Sequence, residues 1–145
     1  MKRNDNLIPL SWEHHSGLVF ARRIRKRMES GDSIPEIKNY ILVEWNNSLK
    51  RHFELEETII APVFNKYVPA DPELNRMEND HNRMREIIGL LNGKNFTGNE
   101  LLEFSKLLTK HIRFEEEVLF PLFEEKIPET EMHEIGMKLK STLTV

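Results

Sequence analysis

The chain has 145 residues with 21 Lys and Arg against 24 Asp and Glu, a net charge of about −3 that leaves no global preference for nucleic acid. It contains no cysteine, which excludes disulfides, iron–sulfur clusters and thiolate zinc sites, fits a cytoplasmic location, and leaves His, Asp and Glu as the strong metal ligands. The length suits one domain over 1–145, and neither a secretion signal's apolar core nor the ~20 apolar residues of a membrane span is present, so no membrane partner is expected.

The first helix is predicted from about Ser11 to Ser30, stopped by Gly31. Its basic cluster, Arg22, Arg23, Arg25, Lys26 and Arg27, lies near the C-terminal end, where cations suit the dipole, and reads as a solvated face. A second helix opens with Ser33 as N-cap and Pro35 in its first turn and runs to about Lys66, with Pro62 bending its last turns. The third opens at Asp71-Pro72 and stops near Asn92-Gly93; the fourth follows Thr97-Gly98-Asn99 and reaches about Lys126, again with a late proline, Pro121. A short fifth helix is expected over about 129–139. Connections of a few residues predict an all-α, up-down-up-down four-helix bundle with a short C-terminal helix.

The second and fourth helices carry a repeat. His52, Glu56, Glu57 and Pro62 recur at the same offsets as His111, Glu115, Glu116 and Pro121, which makes the two helices equivalent halves of a pseudo-twofold arrangement. A His and a Glu four residues apart lie one above the other on a helix face and can present a nitrogen and an oxygen to a metal. Both pairs also fall within apolar stripes. On the second helix the stripe is Ile41, Trp45, Ser48, His52, Glu56, Ile59 and Val63; on the fourth it is Leu101, Phe104, Leu108, His111, Glu115, Leu119 and Leu122. Inward glutamates beside inward histidines call for a counter-charge, and a divalent metal supplies it.

The third helix offers Leu74, Met77, His81, Met84, Ile88 and Leu91 as its inner face. On the first, the positions that follow His14 at helical spacing are Gly17, Leu18, Ala21, Ile24 and Met28, whereas those that follow His15 include Arg22, Arg23 and Arg25, so His14 faces inward. His133 lies in the tail, apart from the rest. At ~1.5 Å per residue, His14 and His52 both sit roughly 25 Å from the turn near Gly31, and His81 and His111 are similarly matched about the turn near Asn95. Six side chains, His14, His52, Glu56, His81, His111 and Glu115, therefore converge on one layer, enough for two metals bridged by two carboxylates.

This pattern resembles the haemerythrin-like family, also called the HHE cation-binding domain. Its members have a His on the first helix, His-x-x-x-Glu on the second, His on the third, and His followed by an acid on the fourth, here His14, His52 with Glu56, His81, and His111 with Glu115. The resemblance implies two non-haem iron ions with a bridging oxide or hydroxide, although manganese or zinc would suit the same donors. It also implies that the chain binds or senses O2, NO or iron. Two positions depart from the oxygen carriers. Arg85 stands where they have a second third-helix His, and they place the last acid at the position of Glu116, which stays an alternative bridge. Arg85 is expected to pair with Glu56, Glu115 or a nearby acid, and its presence weakens the case for simple oxygen storage. A di-iron peroxidase or oxidase is a competing reading. Another is a helical interaction module whose tail docks a protein partner or a second copy.

Overall fold

A computed structural model describes residues 2–143. Among these residues the chain is all-helical, with five continuous stretches and no strand. After a 3-10 turn, Asp5–Leu7, come α1 (Ile8–Glu29), α2 (34–67), α3 (Pro72–Leu91), α4 (98–126) and α5 (Glu129–Leu143). Ser33 and Asp71 are the predicted caps, and α4 opens at Gly98, inside the expected Thr97-Gly98-Asn99 turn, on a cap that was not foreseen. Ser33 accepts from the Glu36 N–H, Asp71 accepts from those of Glu73 and Leu74, and Thr97 and Glu100 form a capping box. Gly31 ends α1 at φ +79°, and Ala70 takes φ +56° in the α2–α3 turn. α1 starts three residues earlier than expected.

Neighbouring helices run antiparallel. Gly17 lies against Ile112 while Arg25, farther along α1, reaches back to Ser105 of α4. Arg83 of α3 likewise pairs with Glu103 of α4, whereas His81 meets His111. The fifth helix is longer than the expected tail, 15 residues. It buries Met132, Ile135 and Leu139 against the body of the fold, packing on the 3-10 turn, α1 and α2.

Two apolar clusters form the core. One gathers Leu7, Leu10, Ile60, Phe64, Phe120 and Phe123 with the α5 residues; the other gathers Phe20, Ile24, Ile41, Trp45, Phe104 and Leu108. The buried His and Glu residues belong to neither.

Three π-helical turns interrupt the long helices: Trp45–Leu49 and Glu56–Ile60 in α2, and Glu115–Leu119 in α4. In the last two, the N–H of Ala61 or Phe120 donates five residues back, to the carbonyl of Glu56 or Glu115. Each extra residue rotates the following chain by about 100° relative to an uninterrupted α-helix. The predicted stripes therefore slip where these turns fall: Leu49 is buried where Ser48 was expected, and the stripes fail again past the glutamates. Ile60 and Phe64 are fully buried where Ile59 and Val63 were expected, and Phe123 takes the place of Leu122. Pro62 and Pro121 fall in the first turn of the α-helical segments that follow, where a missing N–H is tolerated and the helix continues.

Candidate metal centre

Each of α1 to α4 turns a histidine into the layer between the two apolar clusters: His14, His52, His81 and His111, all buried. α2 and α4 add Glu56 and Glu115, both fully buried, each at the first residue of a π turn. The structure thus brings all six predicted residues together. Among the described residues they form two groups able to hold a metal ion, His14, His52, Glu56 and Glu115, and Glu56, His81, His111 and Glu115, with ligand atoms in each group within 4.8 Å of one another.

All four imidazoles aim Nε2 inward. His14 Nε2 lies 2.9 Å from Glu115 Oε1 and 3.4 Å from Glu56 Oε2, and His52 Nε2 is 3.2 Å from Glu56 Oε2. His81 Nε2 is 3.0 Å from Glu56 Oε1 and 3.1 Å from His111 Nε2, which in turn lies 3.2 Å from Glu115 Oε1. Despite this crowding, His14 Nε2, His52 Nε2, Glu56 Oε2 and both Glu115 oxygens make no well-directed hydrogen bond. Buried polar atoms left this way are costly, and nitrogen and carboxylate lone pairs converging on common points suit a cation. The donor set therefore fits the implied group.

The outer nitrogens are all engaged. Nδ1 lies 2.7 Å from Glu116 in His14, 2.8 Å from Glu13 in His52, 2.7 Å from Glu57 in His81 and 3.1 Å from Asp80 in His111. Aromatic rings fill the flanks: Phe53 stacks on His81 at 4.2 Å between centroids, and Phe120 on His14 at 5.2 Å.

With protons in place of metal, the layer is an ion cluster. Burial disfavours the charged form of His52, but the Glu56 charge and the Glu13 contact outweigh it and raise its pKa to about 9. The same contest, burial against adjacent carboxylates, leaves His14 and His111 well above the usual imidazole range and His81 raised. Burial alone would lift Glu56, yet the His52 charge and the other imidazoles hold it well below the ordinary carboxylate value. Glu57 overcomes its burial through His81 and Arg85 and falls to about 2.

His15 is exposed, as expected, and so is His133, which lies on α5. Glu116 belongs to neither four-donor group; its carboxylate sits on the outer nitrogen of His14 and takes the Ser11 hydroxyl. Arg85 turns outward and pairs with Glu57, both guanidinium nitrogens lying 2.8 Å from its oxygens. Sequence reasoning did not single out Glu13, Glu57 or Asp80 as partners of the histidines. The available signals are adjacency, since each neighbours an inward His or Glu on its own helix, and, for Glu57, the repeat that matches it to Glu116.

Among the described residues, no helix is long and apolar enough to cross a membrane. Comparison with curated proteins and with solved structures returns no match. The family model described as the Hemerythrin HHE cation binding domain, in contrast, matches residues 13–126, a stretch that contains every His and Glu of the buried layer. With most of the chain matched, this protein belongs to the hemerythrin HHE cation binding domain family.

Proposed function

We propose that the chain is a single domain that holds two non-haem iron ions and uses them to bind or sense a small diatomic ligand, O2 or NO, or iron itself. His14 and His52 would serve one ion, His81 and His111 the other, and Glu56 and Glu115 would be shared. The observation that carries this reading is the pair of four-donor groups with both carboxylates in common, in which His14 Nε2, His52 Nε2, Glu56 Oε2 and both Glu115 oxygens lack directed hydrogen bonds. Iron there would supply a redox-active centre with positions open to a small ligand.

The chain's own residues prepare that centre. The acids on Nδ1 leave Nε2 as the free lone pair, and buried carboxylates supply negative charge without a protein cation between them. Apolar clusters above and below keep bulk water out, and Phe53 and Phe120 hold two of the imidazole planes.

Anaerobic loading with ferrous iron tests the reading. Two iron atoms per chain are expected, with charge-transfer absorption after oxidation that changes on adding azide or reductant. His111→Ala and Glu115→Ala should abolish this, whereas Glu116→Ala should still take up iron. A colourless parent chain without iron would refute the proposal and leave the polar layer as a structural cluster.

A further inference from the structure

We propose that Glu13, Glu57, Asp80 and Glu116 form a closed ring of positioning residues, in which each helix fixes the metal-binding histidine of the next. This rests on the metal-binding reading above. The contacts run in one direction: Glu13 of α1 on His52 of α2, Glu57 of α2 on His81 of α3, Asp80 of α3 on His111 of α4, and Glu116 of α4 on His14 of α1. No helix orients its own histidine.

Helix geometry explains the closure. Adjacent residues point about 100° apart, so if one faces the centre its neighbour faces an adjoining helix. On α1 and α3 the acid precedes the inward residue, Glu13 before His14 and Asp80 before His81. On α2 and α4 it follows, Glu57 after Glu56 and Glu116 after Glu115. Reversing a helix reverses the sense in which successive residues rotate. In antiparallel neighbours, a preceding acid on one and a following acid on the other therefore turn the same way around the layer, and four such steps return to the start.

Three of the acids are themselves held by arginines. Arg51 lies 3.5 Å from Glu13, Arg85 lies 2.8 Å from Glu57, and Arg3 lies 3.6 Å from Glu116. Asp80 has no Lys or Arg partner among the described residues, and its contact with His111 is the longest of the four. Arg85, at the position where oxygen carriers have another histidine, thus acts on His81 through Glu57. The ring fixes which ring nitrogen bears the proton and makes the placement of each imidazole depend on the preceding helix.

The test uses the full chain loaded with zinc, which is diamagnetic, with 15N-labelled histidine. Glu13→Gln, Glu57→Gln, Asp80→Asn and Glu116→Gln each preserve side-chain size. Each is expected to weaken zinc binding, read by chelator competition, by about tenfold to a hundredfold, with Asp80→Asn the mildest. The ring 15N signals that shift should belong to the histidine of the following helix: His52, His81, His111 and His14 in that order. Arg85→Ala, a change at the surface, should shift His81 alone, which guards against misfolding of the Glu57 variant. Zinc affinities within twofold of the parent, or shifts at the histidine of the substituted helix, would overturn the ring. A parent chain that binds no zinc would refute the metal-binding reading instead, and the ring is then decided by the same 15N shifts in the metal-free chain.

Discussion

Raising the pH from 6.5 to 9 should destabilise the metal-free protein while leaving the metal-loaded protein largely unaffected. His52 keeps its proton to about pH 9 in the folded chain, against an ordinary value of 6.5, so between those limits the native state binds more protons than the unfolded one. Stability then falls as pH rises: the His52 contribution is complete below pH 6.5 and gone above about 9. At ~1.4 kcal/mol per pH unit, this shift corresponds to about 3 kcal/mol. His14, His81 and His111 are raised too and steepen the decline. For a urea dependence of ~1–3 kcal/mol per molar, the His52 share alone lowers the unfolding midpoint by about 1–3 M. A bound metal takes the place of the inward protons, so the loaded chain has little to lose over this range. Urea titrations followed by circular dichroism at pH 6.5, 7.5 and 9, with chelator and with zinc, measure both curves. A metal-free midpoint that stays level or rises between pH 6.5 and 9 would refute the reasoning.

Phe53, 1% exposed and stacked on His81, should cost about 3–5 kcal/mol as Phe53→Ala, read as a urea midpoint; a loss under about 1 kcal/mol would show that the ring supports little. Gly136→Ala should loosen α5 from the N-terminal turn, because a Cβ there would lie 2.8 Å from the Cβ of Asn6 and would also meet its Oδ1. Faster proteolysis at the start of α5 is the expected sign, with a net cost of about 1 kcal/mol after the gain in helix propensity. Ala70→Gly should stabilise the protein by up to about 1 kcal/mol by relieving the left-handed backbone at φ +56°, a rise of a few degrees in Tm by calorimetry.

The six inward residues were legible in the sequence because each sits in an apolar stripe with helical spacing. His14 could be told from His15 by what lies one and two turns farther on: Gly17 and Ala21 are buried, whereas Arg22 and Arg23 are exposed. The stripes slipped first at Ser48, where Leu49 is buried instead, and again past the glutamates. A periodicity argument assumes one α-helical phase, and the π turns at Glu56 and Glu115 shift that phase by a residue, exchanging Val63 for Phe64 and Leu122 for Phe123 in the core. The repeat in the sequence marked both places through the shared proline, and a π turn stands just before each one, Glu56–Ile60 before Pro62 and Glu115–Leu119 before Pro121. The length and docking of α5 were hidden for a different reason. Its burial depends on Leu7 and Leu10 at the far end of the chain.

The acids around the histidines were illegible on another ground. A pattern read along one helix finds residues that share a face, and Glu13, Glu57, Asp80 and Glu116 are each turned away from the face that carries their inward neighbour. Their partners lie on other helices, 39, 24, 31 and 102 residues away in sequence. Taken singly, each resembles a solvated surface charge, and the chain carries 24 acidic residues. Glu116 stood out in the sequence as an alternative bridge and Glu57 as its match in the repeat, but only the assembled layer shows what the four acids hold. The same reasoning accounts for Arg85. Judged on its own helix it is a missing ligand, four residues after His81; judged across helices it anchors Glu57, the acid that holds His81. Restoring a histidine there would therefore remove a support from an existing ligand while adding a new one, so Arg85→His need not reproduce an oxygen carrier's centre.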